Sequence, residues 1–104
     1  MDIRSGQELN WENKVAKGFN TTNIPLEFCL LTREITEAFD AWRTGRAGLG
    51  EELADAAICL LGLAEMIGAD LQEAVEAKLA ANETRVYRRL PNGVLVKDTA
   101  DRRA

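Results

Sequence analysis

From residue 53 to residue 67 the chain is apolar on almost every side of a helical wheel. Leu53, Ala56, Ala57, Ile58, Leu60, Leu61, Leu63, Ala64, Met66 and Ile67 leave little surface suited to water. Such a helix cannot lie with one flank against a small domain and the rest in solvent; it needs neighbours on several sides. A chain of 104 residues has little material to supply them, so its core is expected to be completed by further copies. The same stretch is too short to span a bilayer, and no basic segment followed by an apolar run opens the chain, so a cytoplasmic protein without a membrane partner is expected.

One charge interrupts residues 53–64, Asp55, and a carboxylate in such surroundings needs a basic partner or a metal. Three residues earlier stands Glu52. A second acidic pair at the same spacing, Glu34 and Glu37, lies in the preceding helical segment. Side chains three apart share a helix face, with Cβ atoms roughly 5–6 Å apart, so each pair can converge on one cation. Any one such pair is most often a solvated face. Two pairs beside two apolar stripes point instead to a cage of four carboxylates.

The remaining pattern is helical. A first helix is expected over residues 6–17, capped by Ser5 with Glu8, followed by a polar loop over 19–23. A second runs over 25–44, with Pro25 in its first turn and a buried stripe of Phe28, Leu31, Ile35, Ala38 and Trp42. By the helical step of about 100°, Glu34 and Glu37 flank that stripe and Arg33, Thr36, Asp40 and Arg43 take the far side. A glycine-rich connector over 45–50 leads to a third helix over 51–67, antiparallel to the second. A fourth is expected over 71–86, and along one edge of it lie Lys78, Asn82 and Arg85. Two cations and an amide in that arrangement suit a polyphosphate, although snorkelling cations give the same pattern. Two short β-like runs, 86–90 and 94–97, flank Pro91, Asn92 and Gly93, which suggests a small hairpin. The expected organisation is a single domain over 1–97 and a disordered tail over 98–104.

Composition narrows the chemistry. A net charge of −4 argues against a duplex nucleic-acid binder. The sequence has no histidine, which removes Ser-His and Cys-His catalysis and the usual His-containing zinc and di-iron sites. The two cysteines, Cys29 and Cys59, sit within apolar helical patterns and read as reduced core residues.

Taken together, Glu34 and Glu37, a connector, Glu52 and Asp55, and then Lys78, Asn82 and Arg85 resemble the MazG-like all-α nucleoside triphosphate pyrophosphohydrolases over residues 11–85. The resemblance implies an all-α fold, an antiparallel helical hairpin that forms a four-helix-bundle-type core as a homodimer or homotetramer. It implies Mg²⁺, with Mn²⁺ as a substitute, held by Glu34, Glu37, Glu52 and Asp55, and phosphate contacts from Lys78, Asn82 and Arg85. It implies hydrolysis of a (deoxy)nucleoside triphosphate to the monophosphate and pyrophosphate, a nucleotide-pool sanitising activity. Glu37, farther from the buried stripe than Glu34, is the expected proton acceptor. The family's base pocket would correspond to Trp11, Asn13, Lys14, Lys17, Phe19 and Asn20. The single motif copy and the C-terminal hairpin-like extension depart from what the pattern fixes. Two alternatives stay open at this point: a related phosphoribosyl-ATP pyrophosphatase-like enzyme, and a non-catalytic helical interaction or regulatory module.

Overall fold

A computed structural model of the chain describes residues 1–98. It is all-α with a small C-terminal hairpin, in the order α1 (Ile3–Lys17), α2 (Ile24–Arg43), α3 (Leu49–Met66), α4 (Leu71–Thr84), β1 (Tyr87–Arg89) and β2 (Leu95–Lys97). The chain divides into two compact units, 1–72 and the segment from 73 onward. The expected tail, apart from Asp98, lies outside the described residues.

In the first unit, α1 starts three residues earlier than its sequence suggests. Asp2 is the N-cap and Ser5 closes the box from the third helical position: Asp2 Oδ1 accepts the Ser5 N–H at 2.7 Å, and Ser5 Oγ accepts the Asp2 N–H at 3.1 Å. Asn23 caps α2 by accepting the Leu26 N–H, and Pro25 takes the first turn, where no N–H is required. Gly45 and Gly48, both at positive φ, turn the chain into α3, whose first turn therefore begins at Leu49.

The helices α2 and α3 form an antiparallel hairpin. As α2 runs from Glu27 to Glu34, α3 runs back past them from Cys59 to Glu52. Helix α1 packs on α3, and Gln7 ties the two together at one end. Its amide donates to Glu65 and to the Ala69 carbonyl, both at 2.8 Å, while its oxygen accepts the Leu71 N–H at 3.2 Å.

The apolar core of this unit is small: Ala38 and Ala41 on α2, Leu63 and Ala64 on α3. The expected α2 stripe is only partly covered. Ala38 is buried and Leu31 half-buried, but Phe28, Ile35 and Trp42 are exposed, because α3 covers just the narrow side of α2 that carries its alanines. Cys29 is exposed as well, and Cys59 is half-buried; both are free thiols. No helix among the described residues is long and apolar enough to cross a membrane.

In the second unit the hairpin pairs Tyr87 with Lys97, Arg88 with Val96 and Arg89 with Leu95. The Asp98 N–H extends the ladder to the Val86 carbonyl at 2.8 Å. Helix α4 stops at Thr84, two residues before the end its sequence suggests, since Val86 is already committed to this pairing.

Candidate metal and nucleotide site

The hairpin brings Glu34 and Glu37 of α2 against Glu52 of α3. One carboxylate oxygen of each lies within 4.8 Å of the others. Glu34 and Glu52 are half-buried and Glu37 is exposed. Glu52 stands in the first turn of α3, where free N–H groups and the helix dipole favour negative charge. Asp55, one turn further on, is exposed and falls outside this group of three, but it lines the adjoining cavity together with Glu34.

Three convergent carboxylates are an all-oxygen donor set with no nitrogen or sulfur, which fits a hard divalent ion such as Mg²⁺ or Mn²⁺. The crowding is felt at Glu37. The Glu34 carboxylate beside it, with some desolvation, holds its carboxyl above the ordinary value of 4.5, while Arg33 acts in the opposite sense. Arg33 does not keep to the far side of α2 where its Cα position puts it. Its long side chain reaches back, placing Nη2 3.2 Å from Glu34 Oε1 and Nε 3.8 Å from Glu37 Oε1.

Beside the acids opens a cavity of about 340 Å³, lined on the α1 side by Asn10, Asn13, Lys14, Phe19 and Asn20 and on the hairpin side by Glu27, Leu30, Arg33, Glu34, Asp55, Ile58 and Cys59. Its volume is within the range of small-molecule pockets. Four residues expected to surround a base are therefore here, Asn13, Lys14, Phe19 and Asn20; Trp11 and Lys17 do not line it.

Two of those four already have other work. Lys14 Nζ is 3.0 Å from Glu27 Oε2, and both residues are buried. Asn20 donates to Glu27 Oε1 at 3.0 Å and to the Asn23 carbonyl at 2.8 Å, while its oxygen accepts the Asn23 N–H at 3.0 Å. The Asn20 amide thus builds the loop ahead of α2, and Asn13 and Phe19 are the other two of the four that line the cavity.

Burial pushes the Glu27 carboxyl up, but hydrogen bonds from Lys14, Asn20 and Cys59 and the Lys14 charge outweigh it, so its pKa is lowered overall. The Cys59 thiol donates to Glu27 Oε2 at 3.4 Å. Burial first, then this carboxylate, pushes that thiol up to about 11, so it stays protonated and unreactive at neutral pH.

Lys14 reaches Glu27 across Gly62. A Cβ on Gly62 would stand 3.0 Å from Lys14 Cδ and 3.1 Å from Nζ. Glu27 and Gly62 were not singled out by sequence reasoning. The available signal for Glu27 was its place two turns before Glu34 on the same face of α2, a carboxylate in an otherwise apolar first turn.

The expected phosphate-binding residues lie in the second unit. Lys78 and Asn82 are on α4, and Arg85 is just past its end rather than on its edge. Asn82 Oδ1 accepts from Arg85 Nη1 at 3.4 Å and from the Tyr87 hydroxyl at 3.2 Å. Arg85 Nε is buried with no hydrogen-bond partner among the described residues.

No family model matches the chain. A stretch of 42 residues, 40% of the chain, is 50% identical to a dATP/dGTP diphosphohydrolase of Salmonella phage PMBT28, of which it covers 14%. A stretch of 44 residues, 42% of the chain, is 46% identical to a dATP/dGTP diphosphohydrolase of cyanophage S-2L, of which it covers 42%. The chain thus matches less than half the length of either curated relative. A solved structure, the cyanophage S-2L MazG-like pyrophosphohydrolase bound to dGDP and three catalytic Mn²⁺ ions per active site, superposes over 96% of this chain and 95% of its own, with a TM-score of 0.76 and 27% identity. The agreement in fold extends over nearly the full length of both chains, so this chain is similar in fold to a MazG-like pyrophosphohydrolase and carries acids that converge across the α2–α3 hairpin.

Proposed function

We propose that the chain is a divalent-metal-dependent nucleotide pyrophosphohydrolase, adding water to a purine (deoxy)nucleoside triphosphate to give the monophosphate and pyrophosphate. The observation that carries this reading is the convergence of Glu34, Glu37 and Glu52 at a cavity of about 340 Å³. Relatives that act on dATP and dGTP, and a structural neighbour holding dGDP and Mn²⁺, favour a purine substrate.

Glu34, Glu37, Glu52 and Asp55 would hold Mg²⁺ or Mn²⁺, which when bound supplies charge neutralisation on the phosphates and a more acidic water. Glu37, the exposed member of the convergent group, would be the proton acceptor. Phe19 offers a ring on which a base can stack, and Asn13 an amide that can read its edge. Lys14 and Asn20 hold this wall of the cavity in place through Glu27. Lys78, Asn82 and Arg85, which share one stretch of the second unit, would contact phosphates.

The protein works as a homodimer or homotetramer in the cytoplasm, where its nucleotide substrates are. The oligomer is supported by an apolar groove of about 300 Å³ lined by Ile35, Phe39, Trp42, Leu49 and Leu53, on a unit whose own core is four small or medium residues.

The test is pyrophosphate release from dGTP and dATP with Mg²⁺, Mn²⁺ or EDTA. Turnover should require the metal and vanish in Glu37→Gln and Asp55→Asn. Well-folded protein with no metal-dependent turnover across a broad nucleotide panel would refute the reading.

A further inference from the structure

Two cations line the cavity, and they are held very differently. Lys14 is buried against Glu27 and its ammonium is spent there. The Arg33 side chain is 61% exposed, and its partners are carboxylate oxygens of Glu34 and Glu37. Those carboxylates belong to the convergent group suited to a divalent ion. A guanidinium and a doubly charged cation cannot both press on the same few oxygens without two positive groups in contact, and the divalent ion has the larger charge and the shorter approach.

From this competition we infer that Arg33 is an exchangeable counter-ion: metal binding displaces it from Glu34 and Glu37, and the freed guanidinium turns into the cavity to grip the phosphates of the incoming nucleotide. The inference rests on the proposed nucleotide-hydrolase reading and adds to it a substrate-binding residue within the first unit. The chemistry is matched at both ends. A guanidinium pairs with carboxylate and phosphate oxygens by the same fork of N–H donors, so Arg33 gives up one set of anionic oxygens for another. Reach is no obstacle, because Arg33 itself lines the cavity that Glu34 and Asp55 border. The exchange also makes binding ordered in effect: the site offers this cation to phosphates once metal is present.

Arg33→Ala separates the two halves by sign. Loss of the competing guanidinium should tighten binding of Mn²⁺ alone, measured by titration calorimetry, by about two- to five-fold, the scale of an exposed ion pair. Loss of the phosphate contact should raise KM for dGTP, and Ki for inorganic pyrophosphate, by about ten-fold or more. Arg33→Lys, which keeps the charge but not the fork, should leave Mn²⁺ affinity near wild type and fall between the other two in pyrophosphate affinity. Unchanged values in Arg33→Ala, or both affinities moving the same way, would overturn the exchange while wild-type turnover leaves the hydrolase reading intact. A change in Mn²⁺ affinity alone would overturn it too, leaving Arg33 a simple counter-ion. Wild-type protein that neither binds Mn²⁺ nor hydrolyses nucleotide would end both.

Discussion

Lys14 on α1 and Glu27 on α2 form a buried ion pair at 3.0 Å, with 10% and 4% of their side chains exposed. Both residues line the cavity, and Asn20 and Cys59 donate further hydrogen bonds to the carboxylate. A buried ion pair contributes little compared with apolar residues of the same shape, but losing one member leaves the other charge stranded. Glu27→Ala should therefore cost about 3 kcal/mol or more in urea unfolding, and the double change Lys14→Met with Glu27→Met should recover most of that loss.

The same pair sets a pH dependence. Glu27 has its folded pKa below the ordinary 4.5, so in acid the unfolded chain takes up the proton first. Its stabilisation is complete above 4.5 and is lost as pH falls through the folded value. Urea midpoints measured from about pH 6 down to about pH 3 should decline in the wild type and decline less in the double-Met variant. Parallel curves would show that the carboxylate is not held as its hydrogen bonds imply.

Gly62 is where the pair meets the packing of α3. Alanine in a helix is ordinarily more stable than glycine by about 0.5–1 kcal/mol. Here an added methyl would crowd Lys14 at 3.0 Å and push it from Glu27, at an overpacking cost of about 1–3 kcal/mol. Gly62→Ala should destabilise the wild type and stabilise Lys14→Ala. That reversal of sign in a double-mutant cycle is the measurement; equal effects in both backgrounds would separate Gly62 from the ion pair.

These two residues also show where sequence reading stops. Helical periodicity places Glu34, Glu37, Glu52 and Asp55 on their faces, because a fixed angular step turns spacing into direction. It says nothing of which side chain from α1 arrives opposite Glu27, so the pairing of Lys14, a base-contacting candidate that lines the cavity, with that carboxylate was not legible. Long side chains escape the rule as well: Arg33 starts on the far side of α2 and ends on Glu34. The α2 stripe was legible as apolar, but periodicity cannot say whether this chain supplies its cover. Phe28, Ile35 and Trp42 are exposed because the facing helix covers the side of α2 that carries Glu27, Ala38 and Ala41.

Glu37 is the acid whose removal should separate stability from function. Its pKa is raised, chiefly by Glu34, so its favourable contribution exists below 4.5 and is gone once pH rises through the folded value. At neutral pH the ionised group repels its neighbour. Glu37→Gln in EDTA should therefore melt at the same temperature as wild type or slightly above it. Adding Mn²⁺ should raise the wild-type melting temperature and leave the variant nearly unmoved, with turnover down by about 100-fold or more. A variant that keeps its Mn²⁺-linked shift would remove Glu37 from the ligand set.

Trp42 carries the prediction for assembly. Its side chain is 67% exposed and packs against Phe39 with ring centroids 6.1 Å apart, beside a groove whose lining is wholly apolar. Two large aromatics held together on an open face lose little further freedom on docking, so they are suited to anchor an interface. The groove runs between α2 and α3 at the connector end of the hairpin, away from the cavity that Asn13 and Phe19 border. Trp42→Glu should then turn a dimer or tetramer into an 11.5 kDa monomer by light scattering, because a charge at the centre of an apolar contact is left without water or partner. Folding of that monomer is the informative part. With only Ala38, Ala41, Leu63 and Ala64 as apolar core, it should unfold at lower urea than wild type, by a difference that grows with wild-type protein concentration. A wild type that is monomeric at all concentrations, with the same urea midpoint as Trp42→Glu, would show that this face is not the interface.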